Sequence, residues 1–538
     1  MKKNIQLLDC TLRDGAYICD SRFGTPAIKG IIKKMADANV DIIECGWLKN
    51  QEHVPGTSFF HVPSDLEKYI IGGKSPYSTY VTMIDWDRYD LDYLPECDGK
   101  SIDAIRVVFP HGKHVEGIEV GKKIAEKGYK VYFQAANTLA YSNDDLIALA
   151  KCINEAKPVA LSVVDTFGAM YFEDLERIVS VLDKELNNDI MLGFHSHNNQ
   201  QLSFALTMHF VELLNSTGRG IIVDSSLCGM GRGAGNATTE LVVSYLNKKH
   251  QCNYDLNIIL DAIDQYMGVF HEKYTWGYST PYFIAGMYCC HVNNIAYLLD
   301  NHRTNAQDMK NIIESLSPED RKKYDYDLLE SKYVENQNRI VDDENALEQL
   351  ANEIGNRKVL LIAPGRTTID CRDDIEAFIE KENPIVIGVN AINKNYSMDY
   401  LFMINRARYE YARDVYPEEF NKVKKILLSN IHTESSENEM VINYNRVIKR
   451  GWKHFDNAVI DCLRLLASIH VNNVALAGFD GFKTKYNESY ADASLPTLNT
   501  DGKWEDLNVE IKQIFADFLE TSGVDMQIQF VTDSDFER

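Results

Sequence analysis

Over the first 240 residues, short apolar runs alternate with stretches of helical periodicity, and this alternation constrains the fold more than any other feature of the chain. The strand-like runs are Ile5–Asp9, Asp41–Cys45, Ser78–Ile84, Ala104–Phe109, Val131–Ala135, Ala160–Val164, Met191–Phe194 and Ile221–Asp224. Between them, apolar residues recur at helical spacing over Ala27–Ala38, Val115–Lys127, Asn143–Ala156, Tyr171–Glu185 and Gln200–Leu214. Parallel strands need a crossover that packs back onto the sheet. Eight strands joined this way predict an α/β fold, a closed (β/α)8 TIM barrel.

The polar residues at the ends of these strands suggest chemistry. His195 and His197 close the seventh run, in Gly193-Phe194-His195-Ser196-His197-Asn198-Asn199. Alternate residues of a strand face one side, so both imidazoles can share a divalent metal. The alternative is a histidine pair that only makes hydrogen bonds. The first run ends in Arg13-Asp14-Gly15. Asp14 offers a hard carboxylate oxygen and Arg13 a planar cation beside it. An aspartate and two histidines leave open positions on a metal, which then polarises a bound carbonyl. The arginine is suited to steadying an enolate oxygen. Against these readings, Asp14 can cap the following turn and Arg13 can pair with a structural carboxylate. Glu44 is a charge inside an apolar strand and needs a partner. Arg13 and a metal-bound water are equal candidates.

Five motifs then occur in order: Asp9-Cys10-Thr11-Leu12-Arg13-Asp14-Gly15, Ile43-Glu44-Cys45-Gly46, Val164-Asp165-Thr166-Phe167-Gly168, Gly193 to Asn199, and Gly229-Met230-Gly231-Arg232-Gly233-Ala234-Gly235-Asn236. With them, residues 1–290 resemble the DRE-TIM metallolyases (HMG-CoA lyase-like), most closely their 4-hydroxy-2-oxovalerate aldolase branch. The resemblance implies a divalent-metal-dependent carbon–carbon lyase or aldolase acting on a 2-oxoacid and an aldehyde through an enolate. It implies metal ligation by Asp14, His195 and His197, with Asn236 a ligand in the acyl-CoA lyase branch and a loop-shaping residue in the aldolases. Mn²⁺ is the first expectation for the ion, with Mg²⁺, Co²⁺ and Zn²⁺ as alternatives. Arg13 and Glu44 are carried over as catalytic residues.

The chain departs from the aldolases at Tyr17, where they carry a histidine that acts as acid/base. A phenol titrates near 10 and is a poor base at neutral pH. His291, in the helical region after the barrel, is a substitute whose alternative is a structural role. A Claisen-type enzyme using an acyl-CoA is the second reading. The CoA lyases carry a cysteine inside the glycine-rich loop, and here Cys228 lies just before it.

A chain of 538 residues suggests two or three domains. The expected division is a barrel over 1–250, a helical extension and linker over 251–350, and an open parallel-sheet, Rossmann-like domain over 351–538. Asp255–Met267 and Ala285–Leu299 have helical spacing, while 301–350 reads as a solvated helical linker. The third segment has strand-like runs starting at Val359 and covering Ile385–Val389, Tyr400–Ile404, Lys425–Ser429 and Asn473–Ala477. The loop Ala363-Pro364-Gly365-Arg366-Thr367-Thr368 suits a phosphate on backbone N–H groups, although a full G-x-G-x-x-G is lacking. The segment faintly resembles Rossmann-like domains of sialyltransferases and related glycan enzymes. That implies a nucleotide or nucleotide-sugar site and a role in glycan precursor metabolism or assembly. The alternative is a structural domain.

A formal charge of −23 argues against nonspecific nucleic-acid binding. No apolar stretch approaches a membrane span, and the N-terminus does not read as a signal peptide. Eleven scattered cysteines read as reduced thiols. A cytoplasmic enzyme is expected, and the resemblance implies a homo-oligomer.

Overall fold

The computed structural model describes residues 4–302, 304–337, 340–431, 438–452, 456–483, 489–496 and 504–537. The chain divides into two compact units, residues 1–295 with 321–323 and residues 296–320 with 324–538.

In the first unit eight parallel strands close into a barrel. They are β1 (Ile5–Asp9), β2 (Ile42–Leu48), β3 (Thr79–Asp85), β4 (Ala104–Phe109), β5 (Lys130–Ala135), β6 (Ala160–Asp165), β7 (Met191–Ser196) and β8 (Ile221–Ser225). β1 pairs with β8 on one side and β2 on the other, which closes the ring as the alternation predicts. β2 runs three residues past its expected end. Its register slips between Glu44 and Trp47, where Gly46 (φ 142°) lets the backbone pass against Ser58.

The lumen changes character along its length. Its lower layer is apolar and includes Leu8, Ile42, Val81, Ala104, Tyr132, Ala160 and Ile222. Two residues further along the same strand faces, Ile42 gives way to Glu44, Ala104 to Arg106, Tyr132 to Gln134, Ala160 to Ser162 and Ile222 to Asp224. A buried polar layer therefore rests on an apolar plug, towards the C-terminal ends of the strands.

The helix expected over Ala285–Leu299 is broken. Thr280–Met287 and Val292–Asn301 are separate helices. Cys289 is left-handed (φ 50°), and the N–H of His291 donates to the carbonyl of Arg321. His291 thus sits in the break rather than on a helix.

The second unit is built on seven parallel strands: β9 (Val359–Ile362), β10 (Ile385–Val389), β11 (Tyr400–Met403), β12 (Lys424–Leu428), β13 (Glu439–Ile442), β14 (Asn473–Ala477) and β15 (Gln527–Phe530). Their spatial order is β13-β12-β11-β10-β9-β14-β15, with every pairing parallel. The open parallel sheet matches expectation, with two additional strands at its edges. The stretch 301–350 is not a solvated linker. Its helices Ala306–Ser315 and Tyr326–Gln337 bury Met309, Ile312, Ile313, Leu329 and Tyr333.

The loop after β9 does not offer the free N–H groups expected for a phosphate. Gly365 donates to the Gly478 carbonyl, Arg366 to Ser489, Thr367 to the Asp480 carboxylate and Thr368 to Gly365. A carboxylate already occupies the place an anion would take.

Candidate metal centre

Asp14 lies on the single turn Thr11–Asp14 that follows β1, His195 lies in β7, and His197 lies one residue past its end. All three are buried. One ligand atom from each comes within 4.8 Å of the others. His197 Nδ1 lies 3.0 Å from the carbonyl oxygen of Asp165, and its Nε2 lies 3.5 Å from Asp14 Oδ2. His195 Nδ1 lies 3.1 Å from Asp224 Oδ2, and its Nε2 lies 3.4 Å from Arg13 Nη2. In each imidazole one nitrogen is oriented by a second group and the other is turned towards the Arg13–Asp14 side. Metal-binding histidines are commonly held this way.

The unsatisfied acceptor atoms fit a cation. Asp14 Oδ2, His197 Nε2 and Asn236 Oδ1 are buried without hydrogen-bond partners, as are one oxygen each of Glu44 and Asp224. Such orphans are costly unless something absent from the protein chain engages them. Two guanidiniums, Arg13 and Arg106, face three carboxylates, Asp14, Glu44 and Asp224, through contacts of 2.5–2.8 Å. Counted as ions, this leaves one negative charge uncompensated.

The titration behaviour agrees. Burial pushes the Asp14 carboxyl upward, but Arg13 and the two imidazoles outweigh it and hold it well below the usual range. Burial likewise opposes ionisation of Asp224, and Arg106 and His195 overcome it. Burial lowers the pKa of His195 despite its carboxylate neighbour. A neutral imidazole beside ionised carboxylates is the ligand state a metal requires.

Asn236 joins this group. It forms an isolated antiparallel bridge with His197. A Cβ on Gly231 would fall 2.6 Å from Asp14 Oδ2 and 2.3 Å from Asn236 Nδ2. Glycine at this position is what lets the two side chains approach.

Glu44 is paired on both sides. Arg13 Nε and Arg106 Nη1 each lie 2.8 Å from its Oε2. Arg106 and Asp224 are absent from the motif-based set of site residues. Their signal was present: like Glu44, each is a lone charge in an otherwise apolar strand.

Tyr17 and His291 meet through Arg232. The Arg232 guanidinium lies 4.8 Å from the Tyr17 ring centre, and its Nη2 is 2.9 Å from His291 Nε2. Tyr17 is 49% exposed, yet enough protein surrounds it for desolvation to raise its pKa against the pull of Arg232. His291 is pushed down to about 3 by burial and then by Arg232, so it is neutral at physiological pH. Burial raises the Cys228 thiol to about 12, which removes it as a ready thiolate.

An HMGL-like family model matches residues 113–265. An oxaloacetate decarboxylase of Mycobacterium tuberculosis is 26% identical over 267 residues, covering 48% of this chain and 74% of that protein. A 4-hydroxy-2-oxovalerate aldolase of Pelotomaculum thermopropionicum is 26% identical over 270 residues, covering 48% of this chain and 75% of that protein. Among solved structures, the N-terminal domain of a proposed aldolase from Bacteroides vulgatus is 25% identical. It covers 54% of this chain and 95% of that one, with a TM-score of 0.47.

Proposed function

Since the barrel half of this chain belongs to the HMGL-like, or DRE-TIM, superfamily, we propose that it is a divalent-metal-dependent aldolase that cleaves or forms a carbon–carbon bond next to a 2-oxoacid. The observation that carries this reading is the convergence of Asp14, His195 and His197, whose ligand atoms lie within 4.8 Å of one another with Asp14 Oδ2 and His197 Nε2 buried and unsatisfied, beside the Arg13 guanidinium.

A divalent ion held by Asp14, His195 and His197, with Asn236 adjoining, would supply Lewis acidity to the oxygens of the 2-oxoacid. Arg13 stands ready for the charge that develops. Its Nε is tied to Glu44 and its Nη1 to Asp14, so the guanidinium is oriented before substrate arrives. A donor fixed in advance stabilises an enolate oxygen without reorganising. Arg106 and Glu44 complete the frame. In cleavage, the bond between C3 and C4 breaks, its electron pair becomes the enolate, and the C4 hydroxyl loses a proton. Tyr17 relays that proton, and His291 positions Arg232 beside it rather than acting as the base. Loss of CO₂ from a 2-oxo diacid leaves the same type of enolate. A decarboxylase and aldolases among the relatives are therefore chemically consistent.

Manganese is the first choice of ion, because carboxylate and amide oxygens mixed with imidazoles suit a hard-to-borderline cation. The resemblance favours a homo-oligomer, and the chain's composition favours a cytoplasmic enzyme. No helix among the described residues is long and apolar enough to cross a membrane.

The test is metal stoichiometry. Metal-stripped full-length protein should take up one Mn²⁺ in calorimetry, and His197→Ala should take up none with its fold intact by circular dichroism. Equal uptake by the variant would remove the proposed site.

A further inference from the structure

The second unit contains a crevice of about 1290 Å³, counting space open to solvent. Its lining includes Ala363 after β9, Val389 at the end of β10, Ile404 and Asn405 after β11, Asn430 after β12, and Gly478 after β14. It therefore lies at the C-terminal edge of the parallel sheet. The chain proceeds outward from β9 through β10 to β13, then returns to β14 on the other side of β9. Neighbouring loops diverge where strand order reverses, and ligands of open α/β sheets bind in the gap.

The lining specifies chemistry. Amide side chains are concentrated here, among them Gln337, Asn390, Asn405, Asn430 and Asn457. Amides both donate and accept, which suits hydroxyls and heterocycle edges. Aromatic rings supply flat apolar walls, with Phe482 edge-on to Tyr490 at 6.1 Å. Arg408 supplies positive charge, as does Arg406, whose Nε pairs with Glu410 Oε1 at 2.8 Å and leaves its Nη groups for a ligand. The Arg408 guanidinium lies 5.0 Å from the Tyr490 ring centre, and its Nε donates to the Pro496 carbonyl at 2.5 Å. These contacts orient it at the aromatic wall. Three carboxylates, Asp308, Asp456 and Asp480, also line the crevice. Three acids against two arginines do not favour a triphosphate, which carries several charges. They accommodate one phosphate held locally by the arginines.

We propose that this crevice binds a nucleoside monophosphate, with its base at the Phe482–Tyr490 wall and its phosphate at Arg406 and Arg408. The loop after β9 also lines the crevice, but its N–H groups are already engaged, so the phosphate is assigned to the arginines. This inference stands independently of the aldolase reading.

The experiment is calorimetry on the full-length protein with AMP, GMP, CMP and UMP, each beside its free nucleoside, and with inorganic phosphate. At least one monophosphate should bind at least about tenfold more tightly than its nucleoside and than phosphate alone, the size expected of a charge-assisted contact. Two variants locate the site. Arg406→Ala changes a half-buried residue. Asn390→Gly removes an amide at a left-handed position (φ 57°) that glycine adopts freely. Each should weaken binding about tenfold, with unfolding curves confirming the fold. No binding by any nucleotide at millimolar concentration would overturn the proposal. So would equal binding of inorganic phosphate, or affinity unchanged in both variants.

Discussion

Arg106 and Asp224 form an ion pair across the barrel lumen, with Arg106 Nη2 2.5 Å from Asp224 Oδ2 and both side chains almost wholly buried. The same Asp224 oxygen lies 3.1 Å from His195 Nδ1. One carboxylate thus joins the arginine frame of the lumen to a candidate metal ligand. Neither residue belongs to a recognisable motif, yet the pair determines which nitrogen of His195 is available.

Asp224→Asn keeps the shape of the side chain and removes its charge. Orienting groups of this kind are commonly worth about 10–100-fold in metal affinity. Titration of the stripped variant with Mn²⁺ should show a loss of that size, with one binding site retained. Wild-type affinity would mean that Asp224 serves packing alone.

Glu44→Gln leaves Arg13 and Arg106 sharing a neutral partner in a dry site. Breaking a buried charge pair costs on the order of 3–5 kcal/mol. Urea unfolding should report a loss of that order. A loss below about 1 kcal/mol, typical of exposed pairs, would contradict the buried frame.

Tyr17→Phe keeps the ring against Trp47 and Arg232 and removes the hydroxyl. A proton relay is worth about 10²–10⁴-fold in rate. Turnover should fall within that range while Mn²⁺ affinity stays at the wild-type value. Undiminished turnover would shift the relay to another group or to solvent.

Burial pushes Asp9 up to about 7, against the hydrogen bonds from Thr11 and Thr239. The ordinary value is 3.8. Between these pH values the folded protein retains a proton that the unfolded chain has released. The stability linked to that proton is complete below about pH 4 and is lost as pH rises through 7. Urea midpoints measured from pH 4 to 7 should therefore fall more steeply for wild type than for Asp9→Asn. Parallel slopes would show that Asp9 does not titrate in this window.

Much of this was legible in the sequence because it is local. Apolar runs and their helical partners mark the barrel, since each βα unit declares itself within about thirty residues. The ends of β1 and β7 carry Asp14, His195 and His197 in short motifs. The lumen pairing was not legible, because Arg106 and Asp224 are 118 residues apart and meet only when the ring closes. β13 and β15 were missed because Glu439–Ile442 and Gln527–Phe530 are short edge strands of mixed polarity. The break before His291 depends on a left-handed Cys289, a residue type that does not announce such a turn. The charge of 301–350 concealed the apolar stripe formed by Met309, Ile312 and Ile313.

The central claim is metal-dependent enolate chemistry in the barrel. It is tested most directly by pyruvate release from a panel of 4-hydroxy-2-oxoacids, using metal-stripped enzyme with Mn²⁺, Mg²⁺, Co²⁺ or Zn²⁺ restored and His195→Ala alongside. The account predicts cleavage of at least one substrate that requires restored metal and disappears in the variant. Cleavage that persists without metal or survives His195→Ala would contradict it.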